Sequence, residues 1–460
     1  MINLEQLCKV NDIQAEYKKK HITADEAVQV VKSGDRIHYG LFCGIVRDLD
    51  TALAKRTEEL HDVLVCDTIW AYEEAPAILK ADPESKHFKY LSTHMSGLDR
   101  KMNKEGRCWY IPVQFRENPK LWAENVGVVD VAMLQVAPMD KFGNFNFGPQ
   151  TAEYWGIFSA AKKIIVEVNE NQPVVHGVQN SIHISQIDMI VEGSNGKLPT
   201  LIAKPASEIE KKIAGHIVDR IQSGSTLQLG IGGMPNYVGS MISQSDINDL
   251  SVHTEMFVDA YVNLYNEGKI TGNKNIDKGK MVFTFAMGSQ AVYDFLDNNP
   301  LGYMAPVDYV NSLEVISAND NVVSINSCLQ VDLFGQVNSE SAGIQHIGGT
   351  GGQLDFVMGA FKSKGGQSFL CTPSVRLNKD GSKESLLTAR LPEGSIVSAP
   401  RSSTHFIVTE FGAVNLKGKS TWERAELLIS IAHPEFQDEL VMEAEKMGIW
   451  KNSSKVTFTY

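Results

Sequence analysis

The sequence predicts an α/β protein made of two tandem, internally similar open-sheet domains. Three observations carry that expectation. A chain of 460 residues exceeds what a single hydrophobic core ordinarily serves. Strand-like and helix-like runs alternate along its length, the pattern of mainly parallel sheets. Two stretches also recur at nearly one offset, which is the mark of an internal duplication.

The first recurring pair is "SGDRIHYGLFCG" (33–44) and "SGSTLQLGIGGM" (223–234), separated by 190 residues. Each follows a segment expected to be an amphipathic helix opened by a capping box, Thr23 with Glu26 and Ser207 with Glu210. Ile209, Ile213, Ile217 and Ile221 recur every four residues and so share one face of the second helix. The second pair is "DKFGNFNFG" (140–148) and "DLFGQVNSE" (332–340), offset by 192. Both close an apolar, strand-like run, "VDVAMLQVAPM" (129–139) and "NVVSINSCLQV" (321–331). "AKKIIVEVN" (161–169) reads as another strand. The boundary falls in "SNGKLPTLIAKPAS" (194–207), rich in proline and turn residues, so the domains are expected at 1–204 and 205–460. At the carboxy end, Ser420 and Glu423 form a further capping box. Pro434 divides that helix from a last one.

Composition excludes several classes of function. A formal charge of −12 argues against nucleic-acid binding, which needs a basic face. The six cysteines are scattered without a Cys-x-x-Cys pair, as in reduced proteins of the cytoplasm, and offer no zinc site. No apolar run approaches ~18 residues and the amino terminus has no apolar core of a secretory signal. Neither a membrane association nor a metal is expected. His176 and His183 make no metal site by themselves, and no His-Glu-x-x-His occurs.

The chemistry concentrates in the second half. "LQLGIGGMPNYVGSMI" (227–242) runs from a strand through glycines into Pro235, which suits the first turn of a helix. Pro235 stands where a dinucleotide fingerprint would carry its third glycine, and no Gly-Lys-Ser/Thr follows as in a P-loop. Glycines that merely turn the chain remain an alternative, yet the first copy makes the same turn with "GLFCG". Bare main chain lets N–H groups approach a ligand, so Gly230 to Met234 are read as donors for an oxyanion. "HIGGTGGQLDFVMGAF" (346–361) supplies a second glycine cluster before an apolar helix. Between the clusters, Glu255 in "HTEMFVDA" is a carboxylate among apolar residues, either a solvated strand end or a reactive group. His253 reads as a packed histidine. No serine or cysteine stands in a nucleophile elbow.

In order, "GIGGMP", "HTEMFVDA", "FAMGS", "PVDYVN", "NDNVVSINSC", "DLFGQVNSE", "GGTGGQLDF", "VTEFG" and "STWERAELLISIAHP" resemble family I coenzyme A transferases. The resemblance runs over essentially the whole chain, including "HGVQNSIHISQIDMIVEG" (176–193). It is strongest to the acetyl-CoA hydrolase/transferase branch, near the butyryl-CoA:acetate and 4-hydroxybutyrate types. It implies two similar α/β domains with the active site between them and Glu255 as the nucleophile. It also implies that Gly230, Ile231, Gly232, Gly233 and Met234 line the coenzyme A site, with Leu329, Gly352 and Lys379 at further CoA-contacting positions. Relatives usually carry Ile where Leu329 stands, and the loop of Lys379 varies.

The implied reaction moves coenzyme A between a short-chain acyl-CoA, butyryl-CoA above all, and a carboxylate such as acetate, with ping-pong kinetics through a glutamyl-CoA thioester. Gln353 and Glu340 are candidates to stabilise an oxyanion or support the nucleophile, Glu340 being also a rival nucleophile. Lys362, Lys364, Arg376 and Lys379 are candidates for the CoA phosphates, and the acyl group is expected near Phe145 to Gln150. Coenzyme A acts as substrate, with no tightly bound cofactor. The partners are acyl-CoA and short-chain carboxylates, and the assembly a homodimer or homotetramer, as relatives form. A hydrolase, a 4-hydroxybutyrate transferase and a noncatalytic CoA-binding protein are the alternatives.

Overall fold

A central pair of parallel strands lies within the sheet of each half of the molecule. The computed structural model describes residues 12–125, 127–201, 205–230 and 233–451. The chain divides into two units: Met1–Ile202 with Thr254–Phe257 and Lys280–Ser312, and Ala203–His253 with Val258–Gly279 and Leu313–Tyr460. In the first, an all-parallel sheet orders its strands Cys108–Tyr110, Phe88–Ser92, Val63–Thr68, Arg36–Leu41, Val129–Val136, Ala161–Val168 and Met189–Glu192. Val65, Val131 and Ile165 are buried on these strands, as expected of a sheet covered on both faces. In the second, the order is Ser251–Val252, Thr226–Leu229, Val322–Ser327, Gln367–Cys371, Phe406–Thr409 and Gly412–Asn415, only the last pair being antiparallel.

The recurring stretches occupy equivalent places. Arg36–Leu41 pairs with Val129–Val136 in one sheet, and Thr226–Leu229 with Val322–Ser327 in the other. The turn that follows is also repeated. Asp140 Oδ1 accepts the N–H groups of Phe142 and Asn144, each at 2.8 Å. Asp332 Oδ1 accepts those of Phe334 and Gln336 at 3.1 and 2.9 Å. Gly143 and Gly335 adopt φ of +86° and +83°, which only glycine takes without strain.

All three capping boxes form, at Thr23/Glu26, Ser207/Glu210 and Ser420/Glu423. Ile213, Ile217 and Ile221 are buried as the spacing requires. Helices Thr421–Ser430 and Pro434–Lys446 meet at the expected break. The first copy departs from expectation. Its helix is a single turn, Ala24–Ala27, continued by the 3₁₀ turn Val28–Val30. β-Branched residues at 28, 30 and 31 disfavour a longer helix, and the Arg56 guanidinium takes up the Val28 and Val31 carbonyls.

Beyond the expected division at 204/205 the chain crosses between the units again. The segment that carries Glu255 packs with the first unit, not the second. Its main chain is claimed there: the Thr254 N–H donates to the Val282 carbonyl at 3.0 Å, and Met256 and Phe257 pair in parallel with Phe285 and Ala286.

Cys43, Cys66, Cys108, Cys328 and Cys371 are free and buried, while Cys8 lies outside the described residues. Burial pushes the Cys43, Cys66 and Cys328 thiols up to about 12. The first unit also encloses several carboxyls. Burial raises Asp50 to about 6 and Glu153 and Glu167 to about 7. At these three carboxyls the folded state holds more protons than the unfolded chain between about pH 4 and those values, so their contribution to stability falls as pH rises through that window; His38 and His405, pushed down by burial to about 3 and about 4, act in the opposite direction. Glu153 accepts from Thr68 Oγ1 at 2.7 Å on one oxygen and from Asn118 Nδ2 at 2.6 Å on the other; a glutamine keeps the Asn118 bond through its single oxygen and can donate from its NH2 to the Thr68 hydroxyl. In thermal melts from pH 5 to 8 the stability of Glu153→Gln relative to wild type should rise with pH, as the loss carried by Glu153 is removed; equal slopes for the two proteins would show that Glu153 does not carry the linkage.

Candidate active site

In the first unit, Glu255 sits half-buried at a bend between Thr254 and Met256. Its carbonyl accepts the N–H groups of Thr284 at 3.0 Å and Phe285 at 3.3 Å. One oxygen of its carboxylate accepts from Asn311 Nδ2 at 2.6 Å. Asn311 is fully buried and ends the helical turn Val307–Val310. The Phe285 ring lies flat on Phe42, centroids 3.7 Å apart and planes at 6°, and both meet Phe115 edge-on. The segment expected near the acyl group is close by in the chain pairing: Gln150 bridges to Phe285, and the Ala286 N–H donates to the Pro149 carbonyl at 2.7 Å. Main-chain bonds, an amide and an aromatic stack thus fix where this carboxylate stands.

The remaining candidates belong to the second unit. Gly230 follows the buried strand Thr226–Leu229 and donates its N–H to the Ile325 carbonyl at 2.9 Å. A Cβ there would lie 3.1 Å from Asn326 Oδ1 and 3.2 Å from the Ile325 carbonyl oxygen, so the strand pairing leaves little room for a side chain. Gly233 and Met234 begin the helix Gly233–Ser243, with Met234 buried and Pro235 in the first turn. Ile231 and Gly232 lie outside the described residues.

Gly352 is buried and caps the helix Gln353–Lys362. Gln353 donates from Nε2 to the Ser327 carbonyl at 2.8 Å and accepts from Ser339 Oγ at 2.7 Å. Glu340 is buried. Its carboxylate accepts from Thr350 Oγ1 at 3.1 Å, and its carbonyl accepts the N–H groups of Ile347 and Gly348. Leu329 is half-buried and donates its N–H to the Asn338 carbonyl at 2.8 Å. The carboxyl end of strand Val322–Ser327 therefore gathers Gly230, Leu329, Glu340, Gly352 and Gln353.

Lys379 does not join them through any such bond. It occupies an exposed turn between Val375–Leu377 and Lys383–Ser385. Lys362, Lys364 and Arg376 each pair with an acid, Glu314, Asp320 and Glu384 respectively. Among the described residues Lys379 alone of the four forms no ion pair. His253 is fully buried, as a packed histidine would be. Among the described residues no group of His, Cys, Asp and Glu is placed to hold a metal, and no helix is long and apolar enough to cross a membrane.

Two features escaped the sequence. Asn311 stands far along the chain from Glu255, and nothing in "PVDYVN" taken by itself singles it out. The other is a buried amide network beneath Gly230. Ser324 Oγ donates to Gln228 Oε1 at 2.6 Å, Asn326 Nδ2 donates to the same oxygen at 3.0 Å, and Gln228 Nε2 donates to Asn326 Oδ1 at 3.1 Å. Polar residues at alternate positions of "VVSINS" were the available signal, since a central strand would otherwise be apolar.

Comparison with known proteins bears on both units. Residues 5–201 match the model of the acetyl-CoA hydrolase/transferase N-terminal domain, and residues 288–444 that of the acetyl-CoA hydrolase/transferase C-terminal domain. The chain is 50% identical over 444 residues to "Probable butyrate:acetyl-CoA coenzyme A-transferase" of Syntrophomonas wolfei subsp. wolfei, covering 96% of this chain and 98% of the relative. It is 49% identical over 445 residues to "Butyryl-CoA:acetate CoA-transferase" of Anaerostipes caccae, with coverages of 96% and 99%. Among solved structures, RipA from Yersinia pestis superposes with a TM-score of 0.86 at 39% identity, covering 95% of this chain and 100% of that one.

The amide network should respond as a unit. Asn326→Leu strips Gln228 Nε2 of its acceptor and is expected to cost about 1–3 kcal/mol in urea unfolding. Adding Gln228→Leu should cost less than the sum of the two single losses; strict additivity would show that the network is not coupled.

Proposed function

Because the chain belongs to the acetyl-CoA hydrolase/transferase family, we propose that it transfers coenzyme A between butyryl-CoA and acetate, with Glu255 as the covalent nucleophile. The observation that carries the reading is the seat of Glu255, a half-buried carboxylate with one oxygen held by Asn311. The choice of butyryl-CoA and acetate rests on the names of two relatives at about half identity.

The reaction needs only this group and the substrates. A carboxylate oxygen of Glu255 attacks the thioester carbonyl; the carbon–sulfur bond breaks and coenzyme A leaves as thiolate, giving a butyryl-glutamyl anhydride. The thiolate attacks the glutamyl carbonyl and expels butyrate, leaving a glutamyl-CoA thioester. Acetate attacks that carbonyl, releasing thiolate and forming an acetyl-glutamyl anhydride. The thiolate then takes the acetyl group and frees the carboxylate. No proton is gained or lost overall, and the kinetics are ping-pong. The Asn311 bond fixes the orientation of the carboxylate before attack, which lowers the entropic part of the barrier.

Coenzyme A contacts are assigned to Gly230, Ile231, Gly232, Gly233, Met234, Leu329, Gly352 and Lys379. The unpaired ammonium of Lys379 supports a phosphate contact. Each tetrahedral oxyanion is assigned to main-chain donors of the glycine segment beyond Gly230, whose own N–H is held by the Ile325 carbonyl, and to Gln353, whose second N–H remains after its bond to Ser327. Glu340 is read as the residue that holds the loop 347–350 in place, since its carbonyl and carboxylate are both engaged there. Coenzyme A is a passing substrate rather than a resident cofactor. We read the enzyme as cytoplasmic, from its scattered cysteines without a Cys-x-x-Cys pair, and as a homodimer or homotetramer.

Glu255→Ala should abolish exchange between butyryl-CoA and acetate while circular dichroism and the melting temperature stay near wild type. Mass spectrometry after butyryl-CoA alone should find the CoA adduct on Glu255; an adduct on Glu340 would overturn the assignment. Loss of butyryl-CoA at full rate without any carboxylate acceptor would instead identify a hydrolase. Asn311→Ala should lower kcat about tenfold to a hundredfold with a smaller change in KM, as expected for a lost hydrogen bond to a charged group.

A further inference from the structure

The first sheet reverses its winding between Arg36–Leu41 and Val129–Val136. From the former the chain proceeds outward to Val63–Thr68, Phe88–Ser92 and Cys108–Tyr110, and from the latter to Ala161–Val168 and Met189–Glu192 on the other side. Open parallel sheets hold ligands in the crevice at such a point, beyond the carboxyl ends of the strands. A cavity of about 200 Å³ lies there, and its lining includes Arg47, Tyr72, Gln135, Glu167, Asn169 and Lys197.

Among the described residues, the two acids and two bases that line this cavity form no ion pair with one another. Glu167 is fully buried, and its carboxyl accepts the N–H groups of Arg47 at 3.0 Å and Leu49 at 2.9 Å and the Gln135 Nε2 at 2.8 Å. Asp48, also in the lining, accepts from the Ser194 N–H at 2.7 Å and its hydroxyl at 2.9 Å. Both acids are thus satisfied by uncharged donors. The Arg47 guanidinium lies 4.3 Å over the Tyr72 ring, and among the described residues neither it nor Lys197 forms an ion pair. Its field reaches Asp50 and Glu74 through space, but Asp50 is held by the Ala77 and Ile78 N–H groups and Glu74 by Lys80. A planar guanidinium fixed on an aromatic face keeps its N–H fork in one orientation, which suits a two-oxygen acceptor.

We propose that this crevice binds a small oxyanion, a carboxylate or a phosphate group, in the fork of Arg47 with the Lys197 ammonium as a second positive contact. Carboxylate and phosphate present the same pair of oxygens, and the cavity has room for a ligand of a few heavy atoms. Nothing in this inference depends on the role of Glu255.

Titration calorimetry of the full chain at fixed ionic strength, with sodium acetate, sodium succinate and sodium phosphate in separate runs, tests it. At least one anion should bind saturably. Arg47→Gln should weaken that binding about tenfold or more, as for a lost charged hydrogen bond, and Lys197→Gln about threefold, as for an exposed charge. Tighter binding of phosphate would identify a phosphate ligand, and tighter binding of either carboxylate a carboxylate ligand. Absence of saturable binding by all three anions would overturn the proposal, as would wild-type affinity in a folded Arg47→Gln protein. Should Arg47→Gln fail to fold, the exposed Lys197→Gln decides in its place, unchanged affinity again overturning the site.

Discussion

The Glu255 carbonyl, gripped by two successive N–H groups from Thr284 and Phe285, is the contact on which the candidate site depends. It draws four residues, Thr254–Phe257, into the first unit although their neighbours on either side belong to the second. Pairing of Met256 and Phe257 with Phe285 and Ala286 then sets the register, and a slip of one position would point the carboxylate to the opposite face. The Phe42–Phe285 stack supports the paired strand from behind. A long, charged side chain is ordinarily the least constrained of groups. Here its root is fixed by the sheet and its tip by a buried amide.

The two copies of the underlying motif solve the same turn differently. After its strand, the first copy places Phe42, buried and at φ +47°, a conformation costly for a residue with a Cβ. Its ring repays that with the aromatic stack. At the 190-residue offset Gly40 answers Gly230, and both are confined, a Cβ lying 2.6 Å from the Gly44 carbonyl oxygen at the first and 3.1 Å from Asn326 Oδ1 at the second; Gly232, which answers Phe42, lies outside the described residues. Duplication therefore preserved the strand pair, the glycine at the strand end and the Asp turn, while Phe42 of the first copy answers a glycine in the sequence of the second.

Much of this architecture was legible because its causes are local. A capping box needs two residues three apart, and an Asp-x-Phe-Gly turn carries its own acceptor and its own left-handed residue. Both copies could be matched for that reason. Glu255 stood out as a carboxylate in apolar company. Asn311 did not, since its importance comes from a loop closure that brings distant residues to 2.6 Å. The buried acids were equally silent: Glu167 in "AKKIIVEVN" reads as the polar side of an alternating strand, yet it is enclosed and satisfied by donors from two other segments. The packing of Glu255 with the first unit was hidden for the same kind of reason. Composition marks a linker, but no composition marks four residues that cross from one packing unit to another. The basic residues proposed for phosphates show a further limit, because three of four turn out to be neutralised by acids that only the fold brings near.

The enclosed cysteines have a bearing on selectivity of a chemical kind. Thioesters and anhydrides acylate whichever soft nucleophile they meet first, and a thiolate on the protein would be a competitor that ends in a dead product. Each described cysteine is walled off from solvent, and burial holds its sulfur in the protonated, unreactive form. Among the described residues, an acyl-CoA thus meets no reactive thiol on the polypeptide.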